Sequence, residues 1–400
     1  MLLLLACSAT PQTDFGPSVS SDDSERAVHE SEADDSEILD SGPFPTAVAG
    51  GTPRMGSPPL EVSFQAQGST SPTAELNGRW AFSDGDSAEG LDVEHTFATS
   101  GLHEATLTVD DGLGHEASAT VEVFVRSEDC PSTGSPIVEG QLQDTELSEI
   151  SGVVASHANP GVLWVHNDAG HDPLLFALSE AGVLLGRYSL PLPRSDWEDI
   201  ALMQDGDDWL LVVGDLGDNA RARTSVQVHL VPEPEVSPTQ DLVEQELTVT
   251  SLDLTYPGDP QDAESIFVDP DTDDIYIVTK AWDGASFLAR KQAPHEAGTS
   301  ELELLYPMDF AAPPLDGKAT TAATISPDGS QIVVRTYQQS AWLWERSPGQ
   351  SIPDAMAGIP CEITLPLEPQ GESVAFSVDG TALWTISERT EVPIYRTPLE

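Results

Sequence analysis

A chain of 400 residues has room for two or three domains with sizeable cores. Its 68 acidic residues outnumber 16 basic ones and set a net charge of −52, which excludes nucleic acid as a partner because phosphates would be repelled. That balance fits a protein bathed in salt outside the cytoplasm, or one that binds cations.

The first seven residues, Met1-Leu-Leu-Leu-Leu-Ala-Cys7, are far too few to span a bilayer, which needs about 20 apolar residues. They read as the end of a secretory signal's apolar core. Leu4-Leu-Ala-Cys7 resembles the bacterial lipobox, which implies lipidation at Cys7 and anchoring to a bacterial membrane at the outer membrane or cell surface. Residues 8–42 are rich in Ser, Asp, Glu and Pro and lack apolar periodicity. Such a stretch cannot bury enough area to offset the entropy of ordering, so a disordered acidic tether is expected.

Residues 43–126 carry short alternating strands separated by Gly and Asp turns, the pattern of an Ig-like β-sandwich. Trp80-Ala-Phe-Ser-Asp-Gly85, His95-Thr-Phe97, Gly101 and Leu107-Thr-Val-Asp-Asp-Gly112 resemble the PKD (polycystic kidney disease) domain family. Trp80 and Phe82 should enter the core, with Asp84-Gly85 in a tight turn. The resemblance implies an extracellular spacer or a module that binds protein or glycan. Residues 127–135 form a linker with Cys130; Cys361 is the other cysteine besides Cys7. One disulfide between Cys130 and Cys361 is a candidate, two free thiols the alternative.

From residue 136 onward a unit recurs: an acidic anchor, a short apolar strand, an Asp/Gly turn and further strands. The anchors are Glu149, Glu198, Glu264, Thr321 and Glu372, spaced by 49, 66, 57 and 51 residues. Four strands at this period predict a β-propeller blade. Five blades is the favoured count; six is the alternative, since the 66-residue unit has room for extra strands. The last unit lacks a fourth strand, and Pro136-Ile-Val-Glu-Gly-Gln-Leu142 is placed to supply it. An N-terminal outer strand would thus close the ring and remove an exposed edge. The expected fold class is all-β, sandwich then propeller.

In a propeller the start of each first strand and the end of each second strand share one face. That brings Glu149, Glu198, Asp199, Glu264 and Glu372 together with Asn167, Asp168, Asp215, Lys280, Arg335, Tyr337 and Glu388. Crowded carboxylates favour either a hard cation such as Ca²⁺ or shared protons with raised pKa values. Glu149, Glu198, Glu264 and Glu372 are the candidate metal ligands. Asn167, Asp168, Asp215, Lys280, Arg335, Tyr337 and Glu388 are the candidate ligand-binding residues, Lys280 and Arg335 being suited to clamp an anionic group. Repeated Glu residues bonded to blade-to-blade backbone groups are the structural alternative.

Trp164-Val-His-Asn-Asp168, Asp196-Trp-Glu-Asp-Ile200, Gly214-Asp-Leu-Gly-Asp-Asn219 and Arg335-Thr-Tyr337 resemble secreted bacterial propellers of the esterase-like phytase group. That likeness implies phosphoester hydrolysis with Ca²⁺. The leading expectation is a cell-surface lipoprotein, monomeric, whose propeller mouth binds a small-molecule, glycan or protein ligand, with Ca²⁺ as the candidate cofactor. The alternatives are a Ca²⁺-dependent hydrolase of phosphoesters or related esters, with Glu198 or Asp199 as base, and a purely structural adhesion protein.

Overall fold

The computed structural model describes residues 44–72, 75–310, 315, 319–337 and 339–400. The signal remnant, Cys7 and the tether at 8–42 lie outside the described residues. Two sheets form the N-terminal sandwich. One holds Gly50–Thr52, Leu60–Gln65 and Asp92–Phe97; the other holds Met55–Gly56, Glu116–Val125, Gly101–Asp110, Asn77–Phe82 and Ser87–Glu89. Alternating burial along Asn77–Phe82 sends Trp80 and Phe82 inward against Phe64 and Phe97. The expected turn follows, with Gly85 at φ 99°, where a side chain would be strained.

The remaining strands form five four-stranded blades, each strand antiparallel to the next. The first strands are Ile150–Ala155, Trp197–Asp205, Asp262–Val268, Thr320–Ile325 and Ala375–Phe376, which touch in cyclic order around the axis. The second are Val162–Asn167, Asp208–Asp215, Ile275–Lys280, Gln331–Thr336 and Ala382–Ile386. These runs lack polar alternation because a neighbouring blade covers each face; Ile275–Lys280 is buried at every position. Five apolar clusters fill the five junctions between blades, so the core lies between blades, away from the axis.

Blade 5 takes its fourth strand from Ile137–Gln141, which pairs antiparallel with Pro393–Pro398. The ring therefore closes as the sequence predicted. The spare length of the second unit does not build a sixth blade. Val243–Glu246 instead pairs parallel with Leu184–Ser189, the fourth strand of blade 1. Gly298–Glu301, from the third unit, pairs parallel with Thr250–Thr255 of blade 2 in the same way.

The linker is strapped down. Ser132 and Glu400 exchange backbone hydrogen bonds of 3.1 and 2.8 Å, and Cys130 is disulfide-bonded to Cys361 across 231 residues of sequence. Ion pairing of Arg126 with Glu362 adds a second tie between sandwich and ring.

Closure is sensitive at Gly140. A Cβ there would lie 2.2 Å from the backbone carbonyl carbon of Ala181, in the neighbouring blade. Gly140→Val is expected to lower stability by about 1–3 kcal/mol, as overpacking against an unyielding neighbour does. Urea denaturation checks this; an unchanged midpoint would mean that this strand does not close the ring.

Candidate functional site

A register slip places the acidic residues. In blades 1 to 4 the pairing of first and second strands skips one residue near the start: Ser151, Glu198, Glu264 and Thr321 respectively. In blade 5 the slip falls between Gly371 and Ala375, around Glu372. A bulge leaves its extra residue unpaired and re-aims the side chain, and such bulges recur beside functional sites. The repeat anchor of blade 1 is thus Ser151. Glu149, two residues earlier, stands exposed at the rim beside His171, 3.3 Å away. Ser151 and Thr321 donate hydrogen bonds to the Glu198 and Gly371 carbonyls of the adjoining blades.

Two groups of three carboxylates converge on the mouth and share Asp168: Asp168, Glu372 and Glu388 form one, Asp168, Asp196 and Glu198 the other. Within each group the nearest ligand atoms all lie within 4.8 Å of one another. Mutual repulsion and burial hold protons on several of them. Burial pushes Asp168 up to about 6, against a hydrogen bond from the Ala169 amide and with help from Glu372, Asp196 and Glu149. Burial, then the hydrogen bond and charge of Glu372, push Glu388 up to about 9. Glu198 is raised well above the usual carboxylate range by burial and then by Asp168 and Asp196, opposed by Lys280. It is 3% exposed, and among the described residues its carboxylate has no hydrogen-bond or ion-pair partner.

Lys280 is buried and ion-paired with Glu264; its Nζ also donates to the Tyr337 hydroxyl at 2.9 Å. The ammonium lies 5.2 Å from the Trp282 ring centre and 5.1 Å from that of Tyr337. Those rings stack at 5.7 Å with 9° between planes, and Trp282 remains 66% exposed.

Several expected residues serve other ends. Arg335 lies between blades 4 and 5, donating to Glu368 at 3.0 Å and to the Ser373 carbonyl at 2.7 Å, and is 1% exposed. Neither Arg335 nor Lys280 is free to clamp an anion. Asp199 accepts the amides of Ile200, Ile266 and Ala323, at 2.9, 3.0 and 3.1 Å, from blades 2, 3 and 4. Fully buried, it ties three first strands across the axis and does not reach the mouth, which removes it as the base imagined from sequence. Asn167 holds the loop before blade 1 through the Glu149 amide and the Glu146 carbonyl. Asp215 bonds Arg223 at 2.7 Å; burial would raise it, but His229 and Arg223 draw it below its usual value. The expected metal set of Glu149, Glu198, Glu264 and Glu372 therefore does not assemble as such. Glu149 lies beside His171 and Glu264 pairs with Lys280, while Glu198 and Glu372 join Asp168.

Sequence reasoning missed Asp196 and Trp282 as mouth residues. Each lies two positions from an expected one, Glu198 or Lys280. It also missed a cavity of about 80 Å³ at the other end of the axis, with a mixed lining that includes Ile200, Trp209, Phe376, His157, Thr324 and Ser326.

Residues 43–125 match the PKD domain family. The N-terminal sandwich is a PKD domain. No curated protein matches the sequence. Among solved structures, the crystal structure of the RRP9 WD40 repeats is similar at 13% identity and a TM-score of 0.35, over 68% of this chain and 99% of that one. The structure of U3-55K is similar at 13% identity and a TM-score of 0.34, over 67% and 99%.

Because Glu388 and Asp168 have folded values above their usual 4.5 and 3.8, the folded state binds protons that the unfolded chain has released. Their stabilising effect is complete at low pH and is lost as pH rises through about 6 for Asp168 and about 9 for Glu388. Without divalent cations, the melting temperature is expected to fall as pH rises from about 4 to about 9, and Glu388→Gln to flatten the part above about 6. Arg335→Ala, which strands Glu368, is expected to cost about 3–5 kcal/mol in denaturant unfolding.

Proposed function

We propose that the propeller mouth binds a hard divalent cation, with Ca²⁺ the chemical match, and presents it to a ligand outside the cytoplasm. Glu198 carries this reading: its carboxylate is buried and has no partner among the described residues, which is costly, and a cation shared with Asp168 and Asp196 would relieve it. Oxygen-only donors suit Ca²⁺ better than a transition metal. The likeness to the esterase-like phytase group supports the same assignment, since its motif residues Asp168, Asp196 and Glu198 meet here. The Cys130–Cys361 disulfide and the PKD domain support an oxidising, extracytoplasmic setting. In the hydrolase alternative, the two cations expected to hold an anionic substrate, Lys280 and Arg335, are instead each paired with a glutamate.

Adding Ca²⁺ at a hundredfold excess over Kd is expected to stabilise the protein by about 2.7 kcal/mol. Asp168→Asn, which touches both carboxylate groups, should remove that gain. Binding must displace protons from Glu198 and Asp168, both raised by burial, so affinity should strengthen as pH rises. Calorimetry in buffers of different ionisation enthalpy checks the proton release; an unchanged melting temperature with Ca²⁺ rules the reading out.

A further inference from the structure

Trp282 is the one exposed tryptophan of eight, the others being buried or half-buried. An indole left 66% in water costs apolar hydration, yet this one is also held in place. Tyr337 backs it in a near-parallel stack, and Lys280 fixes Tyr337 by a hydrogen bond while lying over both rings. Tyr337 in turn adjoins Glu372, one of the mouth carboxylates, whose charge after burial drives the phenol's pKa far upward. A rigid apolar plate thus borders a carboxylate-lined opening.

The chemistry of the two halves restricts what fits both. Asp168, Asp196, Glu198, Glu372 and Glu388 together carry more negative charge than one divalent cation offsets, which disfavours a polyanion. An organic cation on the indole would meet the Lys280 ammonium already placed over it. What remains is a neutral molecule with an apolar C–H face on one side and hydroxyls on the other. Hydroxyls can donate to carboxylates and can also enter the coordination shell of Ca²⁺, which accepts oxygen ligands in variable number.

We propose that the ligand recognised at this mouth is a neutral saccharide, its ring lying on Trp282 and its hydroxyls meeting the carboxylates and their cation. This rests on the mouth holding that cation.

Full-length protein is tested on a glycan array with Ca²⁺ and with EDTA, alongside a Ca²⁺ thermal-shift measurement. The expected result is binding to a subset of neutral glycans in Ca²⁺ only, weakened about tenfold or more by Trp282→Ala and largely kept by Trp282→Phe. A wild-type protein that is stabilised by Ca²⁺ but binds no glycan overturns the saccharide assignment and leaves the cation site standing. Absence of any Ca²⁺ shift overturns the cation site and the saccharide with it. Glycan binding that survives EDTA or Trp282→Ala overturns the proposal, as does Trp282-dependent binding of spermine in place of glycans.

Discussion

Every feature of the mouth depends on one pairing, that of Ile137–Gln141 with Pro393–Pro398. Apolar surface here is buried between blades, so each blade is stable only with a neighbour on both sides. An open array would leave two blade faces and two strand edges in water. Closing the circle satisfies all five junctions together and holds Asp168 of blade 1 against Glu372 and Glu388 of blade 5. Carboxylates that repel one another stay together because apolar burial elsewhere outweighs the repulsion.

Within that frame, the bulges decide which side chains reach the axis. A regular first strand would direct alternate residues into the two blade junctions, leaving none for the opening. One unpaired residue per blade frees a side chain, and its identity sets its role: Ser151 and Thr321 tie blades together, Glu264 neutralises Lys280, and Glu198 has no partner among the described residues. Asp199, directly after the bulge in blade 2, turns the other way and closes the axis through three amides. The channel is thereby divided into an acidic mouth and a cavity of mixed lining.

Architecture was legible in the letters because strand periodicity and turn chemistry are local signals repeated along the chain. Even the closing strand followed from a simple shortage, a last unit with three strands and an unused run before the first. The anchor of blade 1 was misplaced by two residues because a slip in register leaves no mark in composition; Glu149 resembled its counterparts more than Ser151 did. The site was legible only as a neighbourhood. Which acids keep a partner depends on cations such as Lys280 and Arg335, whose directions are set by packing between blades. Trp282 escaped notice because an exposed aromatic beside a strand end has no periodic signature.

The parallel strands Val243–Glu246 and Gly298–Glu301 have a mechanical consequence. Each is a loop from one blade laid along the rim of the blade before it, so blades 1, 2 and 3 are clasped in series. Blades 4 and 5 lack that clasp among the described residues and are held at the rim by the disulfide and the strapped C-terminus. Pulled or heated, the circle has two kinds of seam. The clasped half should move as one body, and the covalently tied half should be where the ring first gapes once its sulfur link is cut.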